Sequence, residues 1–297
     1  MENIKTRSTQ YDPLNDFLFF KTFGERGDEV QLLGFINAVL GKTGDDKLVS
    51  VEILENTTFM ADIMDGKSCS LDVRAQLPDG TMVNIEVQLQ NEYNMDRRSL
   101  FYLGKEYVRK LKAGEDYVEL EKVIAINILN YNYPKTKSFH SCFRLREDEE
   151  PDIILTDALE VHFINMVKYR RQARKKSDMR GLDDPLRRWL VWLDKNSPPE
   201  VLEEVVKMDV AIRNADKTIS LVTMSEKEMD IYERRMKAEW DRVSSLGYAT
   251  RKGEARGLKR GQQERNKTIA RNLLTEGSTP DFVQKITGLS LDEIAKL

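Results

Sequence analysis

The chain has 297 residues, with 47 Lys+Arg against 50 Asp+Glu, a formal net charge of −3, 40 % apolar and 33 % charged residues. This balance excludes a uniformly basic nucleic-acid binder, and the length suits two domains or one domain with a helical appendage. The longest apolar runs, such as Val123 to Leu129, fall far short of the about 20 residues a membrane helix needs.

The opening MENIKTRSTQ is polar, with no apolar signal core, and two cysteines, Cys69 and Cys142, build no secreted disulfide framework. A protein of the reducing cytoplasm is expected. Its only histidines are His140 and His162, and neither Cys-x-x-Cys nor His-x-x-x-His occurs. A His/Cys zinc site therefore lacks ligands by spacing, and any metal is expected on carboxylate oxygens.

Pro13 to Leu40 reads as two helices joined by a turn near Gly24 to Gly27, because Phe17, Phe20, Phe23 and then Leu32, Leu33, Phe35, Ile36, Val39, Leu40 recur at three-and-four spacing. Asn15 and Asp16 stand where an N-cap belongs, and Gly41 where a helix ends. From Val51 the period changes to two: VEILENTTF, SLDVRAQL and MVNIEVQLQ predict three strands. Pro78-Asp79-Gly80 predicts a hairpin loop between the second and third.

Asp96 to Ala113 returns to helical spacing, with Leu100, Leu103, Tyr107 and Leu111 on one face. Lys122 to Asn130 predicts a strand buried on both faces, and shorter strands are expected at Phe139 to Leu145 and Leu159 to Ile164. Val167 to Arg188 then holds nine Lys/Arg against three Asp, before an apolar helix around Trp189 and Trp192. That Trp pair reads more readily as core than as a base-stacking surface. A second basic stretch, Ile231 to Arg271, holds twelve Lys/Arg against five Asp/Glu and includes Gly253, Gly257 and Gly261. Glycine at that density predicts a frayed or partner-dependent helix. Thr279 to Leu297 has the spacing of a small helix-turn-helix, with a capping box at Ser290 to Glu293.

The hairpin carries the chemistry. Its apolar positions Leu71, Val73, Ala75 and Leu77, then Val83, Ile85, Val87 and Leu89, are all odd, and a loop of residues 78 to 80 pairs positions that sum to 158. Asp72 then faces Glu86, with beta carbons about 4.5–5.5 Å apart, and Gln88 projects from the same face as Glu86. Two facing carboxylates repel unless a cation or proton sits between them. Oxygen-only ligands suit magnesium or manganese, which activate water for phosphodiester hydrolysis. A hairpin with one wet face would show the same alternation without any function.

The segments NDFLFFKTFG, GKSCSLDVRA, NIEVQLQ with MDRRSLFYLGKEY, and AGEDYVELEKVIAINIL, with the ending GLSLDEIAKL, resemble the recombination-promoting nuclease and transposase family of the PD-(D/E)XK superfamily. The resemblance implies an α/β fold, a restriction-endonuclease-like core of mixed sheet flanked by helices with a helical C-terminal extension, and Mg2+- or Mn2+-dependent endonucleolytic cleavage of DNA. It maps the superfamily aspartate onto Asp72 and the Glu-x-Lys onto Glu86-Val87-Gln88, with glutamine in place of lysine. That replacement removes a cation able to lower a water's pKa, so a nuclease-fold DNA-binding module without turnover is the alternative. The same mapping offers Asp16 as a further acid, where N-capping is the competing role, and Lys67 as a phosphate contact, where a solvated lysine is the competitor. Arg97, with Arg98 beside it, would contact phosphate or form a structural ion pair. The expected layout is a nuclease-like core over 10–165, a basic helical extension over 166–230, and a Gly-interrupted basic linker with a helical tail over 231–297. Double-strand cutting with one site per chain favours a homodimer.

Overall fold

The computed structural model describes residues 11–54, 73–109, 111, 116–173 and 181–297. The chain forms two compact units, Met1–Met236 and Lys237–Leu297.

The first unit opens with α1 (Asp16–Phe23) and α2 (Glu29–Leu40). Asn15 caps α1 by accepting from the backbone N–H groups of Phe17 at 3.1 Å and Leu18 at 3.3 Å. Gly41 ends α2 at φ +65°, a conformation open to glycine at little cost. The strands are β1 (Glu52–Ile53), β2 (Val73–Gln76), β3 (Met82–Gln88), β4 (Val123–Leu129), β5 (His140–Arg146) and β6 (Ile154–Asn165), with α3 (Met95–Tyr107) between β3 and β4. They form one sheet in the order β1-β2-β3-β4-β6-β5, in which β3, β4 and β6 run parallel and β1–β2, β2–β3 and β5–β6 pair antiparallel. Among the described residues from Asp16 to Asn165, the helices and strands follow the expected order.

The β2–β3 register is Val73↔Ile85, Arg74↔Asn84, Ala75↔Val83 and Gln76↔Met82, so each described pair sums to 158, even as the alternation requires and at the value the loop at 78 to 80 sets. The loop at 78 to 80 closes with Gly80 at φ +87°, and Thr81 donates its N–H to Asp79 Oδ1 at 3.0 Å. Odd positions of the hairpin face the main core, where Val73, Ala75, Val83 and Ile85 meet Phe23, Phe35, Trp189 and Trp192. That core also takes residues from α4 (Met166–Ala173), α5 (Pro185–Leu193), α6 (Pro199–Met208) and α7 (Val210–Val222). Both tryptophans are buried, and Trp192 Nε1 donates to Asp216 Oδ1 at 3.1 Å, so they are core.

The other face of the sheet is covered as well. α3 lays Met95 and Leu103 onto Met82, Val123, Ala125, Leu129, Val161 and Phe163. Leu100, expected on this buried face, is 62 % exposed, and the buried stripe runs instead through Met95, Ser99 and Leu103.

α8 (Glu226–Thr275) is a single helix, and its first turns close a cluster with Phe17, Leu18 and Val222 through Tyr232. Gly253, Gly257 and Gly261 do not break it. The strong helix formers between them, including Ala255, Arg256, Lys259 and Arg260, offset a cost of about 0.8–1 kcal/mol per glycine. In the second unit, α9 (Pro280–Thr287) and α10 (Leu291–Ile294) pack with the end of α8 around Ala270, Val283, Leu289 and Ile294. The expected capping box is present, Ser290 Oγ accepting from Glu293 N–H and Glu293 Oε2 accepting from Ser290 N–H at 2.9 Å. No helix among the described residues is long and apolar enough to cross a membrane.

Candidate functional site

Glu86 sits on the even face of β3, the face that α3 covers, and is only 2 % exposed. A solvated hairpin face is therefore not its environment. A buried carboxylate needs charge and hydrogen-bond compensation, and among the described residues Arg98 and Gln88 contribute to it. Arg98 donates to Glu86 Oε1 from Nε at 2.9 Å and from Nη2 at 2.5 Å, and Gln88 Nε2 donates to the same oxygen at 2.5 Å.

The surroundings are polar by design of the register. Asn127 on β4 is the cross-strand partner of Glu86 and is itself buried. It accepts from Ser99 Oγ at 3.3 Å and donates to the His162 carbonyl at 3.2 Å. Arg98 also lies over the Tyr102 ring, 5.4 Å from its centroid. Burial, reinforced by the Glu86 charge, pushes the Tyr131 hydroxyl up to about 12, which keeps it a neutral hydrogen-bonding group at physiological pH.

Of the residues singled out in the sequence, the structure brings Glu86 and Gln88 into direct contact. Asp72 and Lys67 lie outside the described residues. Asp16 is the first residue of α1, where it accepts from Phe17 N–H at 2.7 Å and pairs with Arg235 of α8. Burial raises its pKa while Arg235 opposes that rise. Asn15, not Asp16, supplies the cap that spans two backbone N–H groups. Arg97 is exposed, and its neighbour Arg98 makes the ion pair with Glu86.

Glu86 is an oxygen donor of the type a hard cation takes, with the amides of Gln88 and Asn127 beside it on one face, but its charge is already compensated by Arg98. A second cluster was not legible from spacing. β5 and β6 bring His140, Cys142, Glu160 and His162 together, so the expectation that histidine and cysteine ligands are lacking is corrected. Sequence spacing missed it because the ligands come from two strands whose pairing sets Cys142 opposite His162.

Several described cations of the 167–188 stretch are used inside the fold. Arg170 pairs with Asp194 at 3.0 Å, Arg188 with Asp209 at 3.4 Å and Arg187 with Asp184 at 3.7 Å. In contrast, Arg251, Lys252, Arg256, Lys259, Arg260 and Arg265 of α8 are all exposed, against only Glu254 and Glu264 in the same stretch.

Residues 13–249 match the model of the PD-(D/E)XK nuclease family transposases. Residues 263–297 match the C-terminal HTH domain of the Rpn/YhgA-like nuclease family. Searches of curated proteins and of solved structures found no match to this chain. The mixed six-stranded sheet with its flanking helices agrees with the first match, and the chain belongs to the PD-(D/E)XK nuclease family transposases, with residues 263–297 matching an Rpn/YhgA-type helix-turn-helix.

Proposed function

We propose that the chain is a divalent-metal-dependent DNA endonuclease whose centre is Asp72, Glu86 and Gln88, acting in recombination or on mobile elements. The observation that carries this reading is Glu86, a carboxylate buried to 2 % exposure on the sheet of a nuclease-family chain and bonded to Gln88. The register sum of 158 over Val73–Gln76 supports this reading, since its continuation by one residue would set Asp72 opposite Glu86. Those two carboxylates would hold Mg2+ or Mn2+, which supplies an activated water and neutralises charge on the phosphate. Gln88, its Nε2 committed to Glu86, presents its carbonyl oxygen as an acceptor that orients the attacking water. Arg98 balances the buried charge of Glu86. The exposed cations of α8 attract the DNA backbone without regard to sequence, and the helix-turn-helix match supports a DNA partner.

A second reading is favoured by one observation. Arg98 already occupies Glu86, and no lysine stands at position 88, as in a DNA-binding module without turnover. One experiment separates the two: supercoiled plasmid at low salt with Mg2+, Mn2+ or EDTA, using the wild type, Asp72→Ala and Glu86→Gln. Relaxation that needs metal and disappears in both variants is expected. DNA retardation with no cleavage by the wild type would establish the binding module instead.

A further inference from the structure

We propose that Cys142, Glu160 and His162 form a zinc-binding site on β5 and β6, separate from the centre at Glu86. The antiparallel register makes Cys142 and His162 cross-strand partners, which sets their side chains on one face. Glu160, two residues before His162 on β6, projects from that face too. A thiol sulfur, an imidazole nitrogen and a carboxylate oxygen from these three residues all lie within 4.8 Å of one another. Tetrahedral zinc, with bonds of about 2.0–2.3 Å, needs its donors about 3–4 Å apart, which small side-chain rotations reach.

The atoms around the cluster assign its nitrogen and its oxygen. His162 Nδ1 faces His140 Nε2 at 3.0 Å, while His162 Nε2 faces Glu160 Oε2 at 3.3 Å. Nε2 is thus the ligand, and His140 fixes the ring from behind, as partners of metal-bound histidines do. Glu160 divides its oxygens in the same way. Its Oε1 takes Lys122 Nζ at 2.8 Å and Arg144 Nε at 2.9 Å, while Oε2 points to the imidazole.

The Cys142 thiolate supplies negative charge to the ion, while Glu160, whose Oε1 is already paired with Lys122 and Arg144, supplies Oε2 as a donor atom. Coordination releases the Cys142 thiol proton to solvent. Glu160 and His162 are buried and Cys142 is exposed, so three protein donors leave one position facing water. Sulfur and nitrogen donors select a borderline-soft ion such as zinc, whereas the oxygen donors around Glu86 select a hard one.

The test is titration of the full, chelator-stripped chain with Co2+ in excess Mg2+, followed by Zn2+ displacement. We expect a thiolate-to-cobalt charge-transfer absorption that saturates at one ion per chain and vanishes on adding zinc. Cys142→Ser abolishes the band, and His162→Gln weakens binding by about tenfold or more. Cys69→Ser and Glu86→Gln leave it intact, which keeps this result independent of the nuclease reading. Zinc also raises the melting temperature of the wild type and not of Cys142→Ser. Because Cys142 is exposed, that variant tests the site even where His162→Gln fails to fold. Absence of the band, its survival in Cys142→Ser, or its loss in Cys69→Ser overturns the proposal.

Discussion

Arg98 and Glu86 form the interaction on which the candidate centre turns. Arg98→Ala removes the guanidinium that pairs with a carboxylate of 2 % exposure. Breaking a buried pair from one side costs about 3–5 kcal/mol, and the 24 % exposure of the Arg98 side chain argues for the lower end, about 3 kcal/mol. Urea denaturation measures that loss. If Glu86 holds a divalent ion, Mg2+ restores part of it, so the variant gains more melting temperature from Mg2+ than the wild type does. The register of Val73–Gln76 against Met82–Ile85 was legible because alternation fixes the pairing parity and the loop at 78 to 80 fixes the sum. The choice between the adjacent arginines was not. With Leu100 taken as buried, Arg97 turns toward the sheet; with the observed stripe of Met95, Ser99 and Leu103, Arg98 lies about 100° from its centre and Arg97 about 160°.

At the scale of elements, the order of helices and strands could be read from periodicity, and so could the caps at Asn15, Gly41 and Ser290. The approach of helices to one another could not, since it depends on small residues whose partners lie far away in sequence. Gly34 on α2 is such a residue. A Cβ there would sit 2.5 Å from the Ala211 Cβ on α7 and 3.4 Å from Trp189 Cζ2. Gly34→Ala therefore destabilises by about 1–3 kcal/mol, despite the better helix propensity of alanine. Gly104 on α3 has open space at the same position of its side chain, and Gly104→Ala stabilises by up to about 1 kcal/mol. Opposite shifts of the two denaturation midpoints check the argument. β6 was read as Leu159 to Ile164 but begins at Ile154. Its first residues are largely exposed, so no buried face imprinted the alternation there.

For the whole molecule, the net charge of −3 hides where the positive charge is. Of the two basic stretches visible in the sequence, several described cations of the first close ion pairs inside the first unit, whereas those of 251–265 are exposed. Sequence composition cannot separate these cases, because a cation counts equally whether or not an acid meets it in the fold. DNA affinity should accordingly fall with salt, and replacing Arg256, Lys259 and Arg260 by Gln should flatten the slope of log affinity against log salt by about 2–3. Fluorescence anisotropy at several salt concentrations measures it. An unchanged slope would place the DNA contact away from α8.

The sheet ends on β5, and there its ladder to β6 is irregular, with register shifts between Phe143 and Leu145 and between Leu145 and Arg146. A bulged edge flanked by Arg144 and Arg146 makes a poor template for another strand. Such an irregular ladder disfavours growth of the sheet from molecule to molecule at this margin. A homodimer of the kind that double-strand cutting would favour is therefore expected to pair through another surface than the edge of β5.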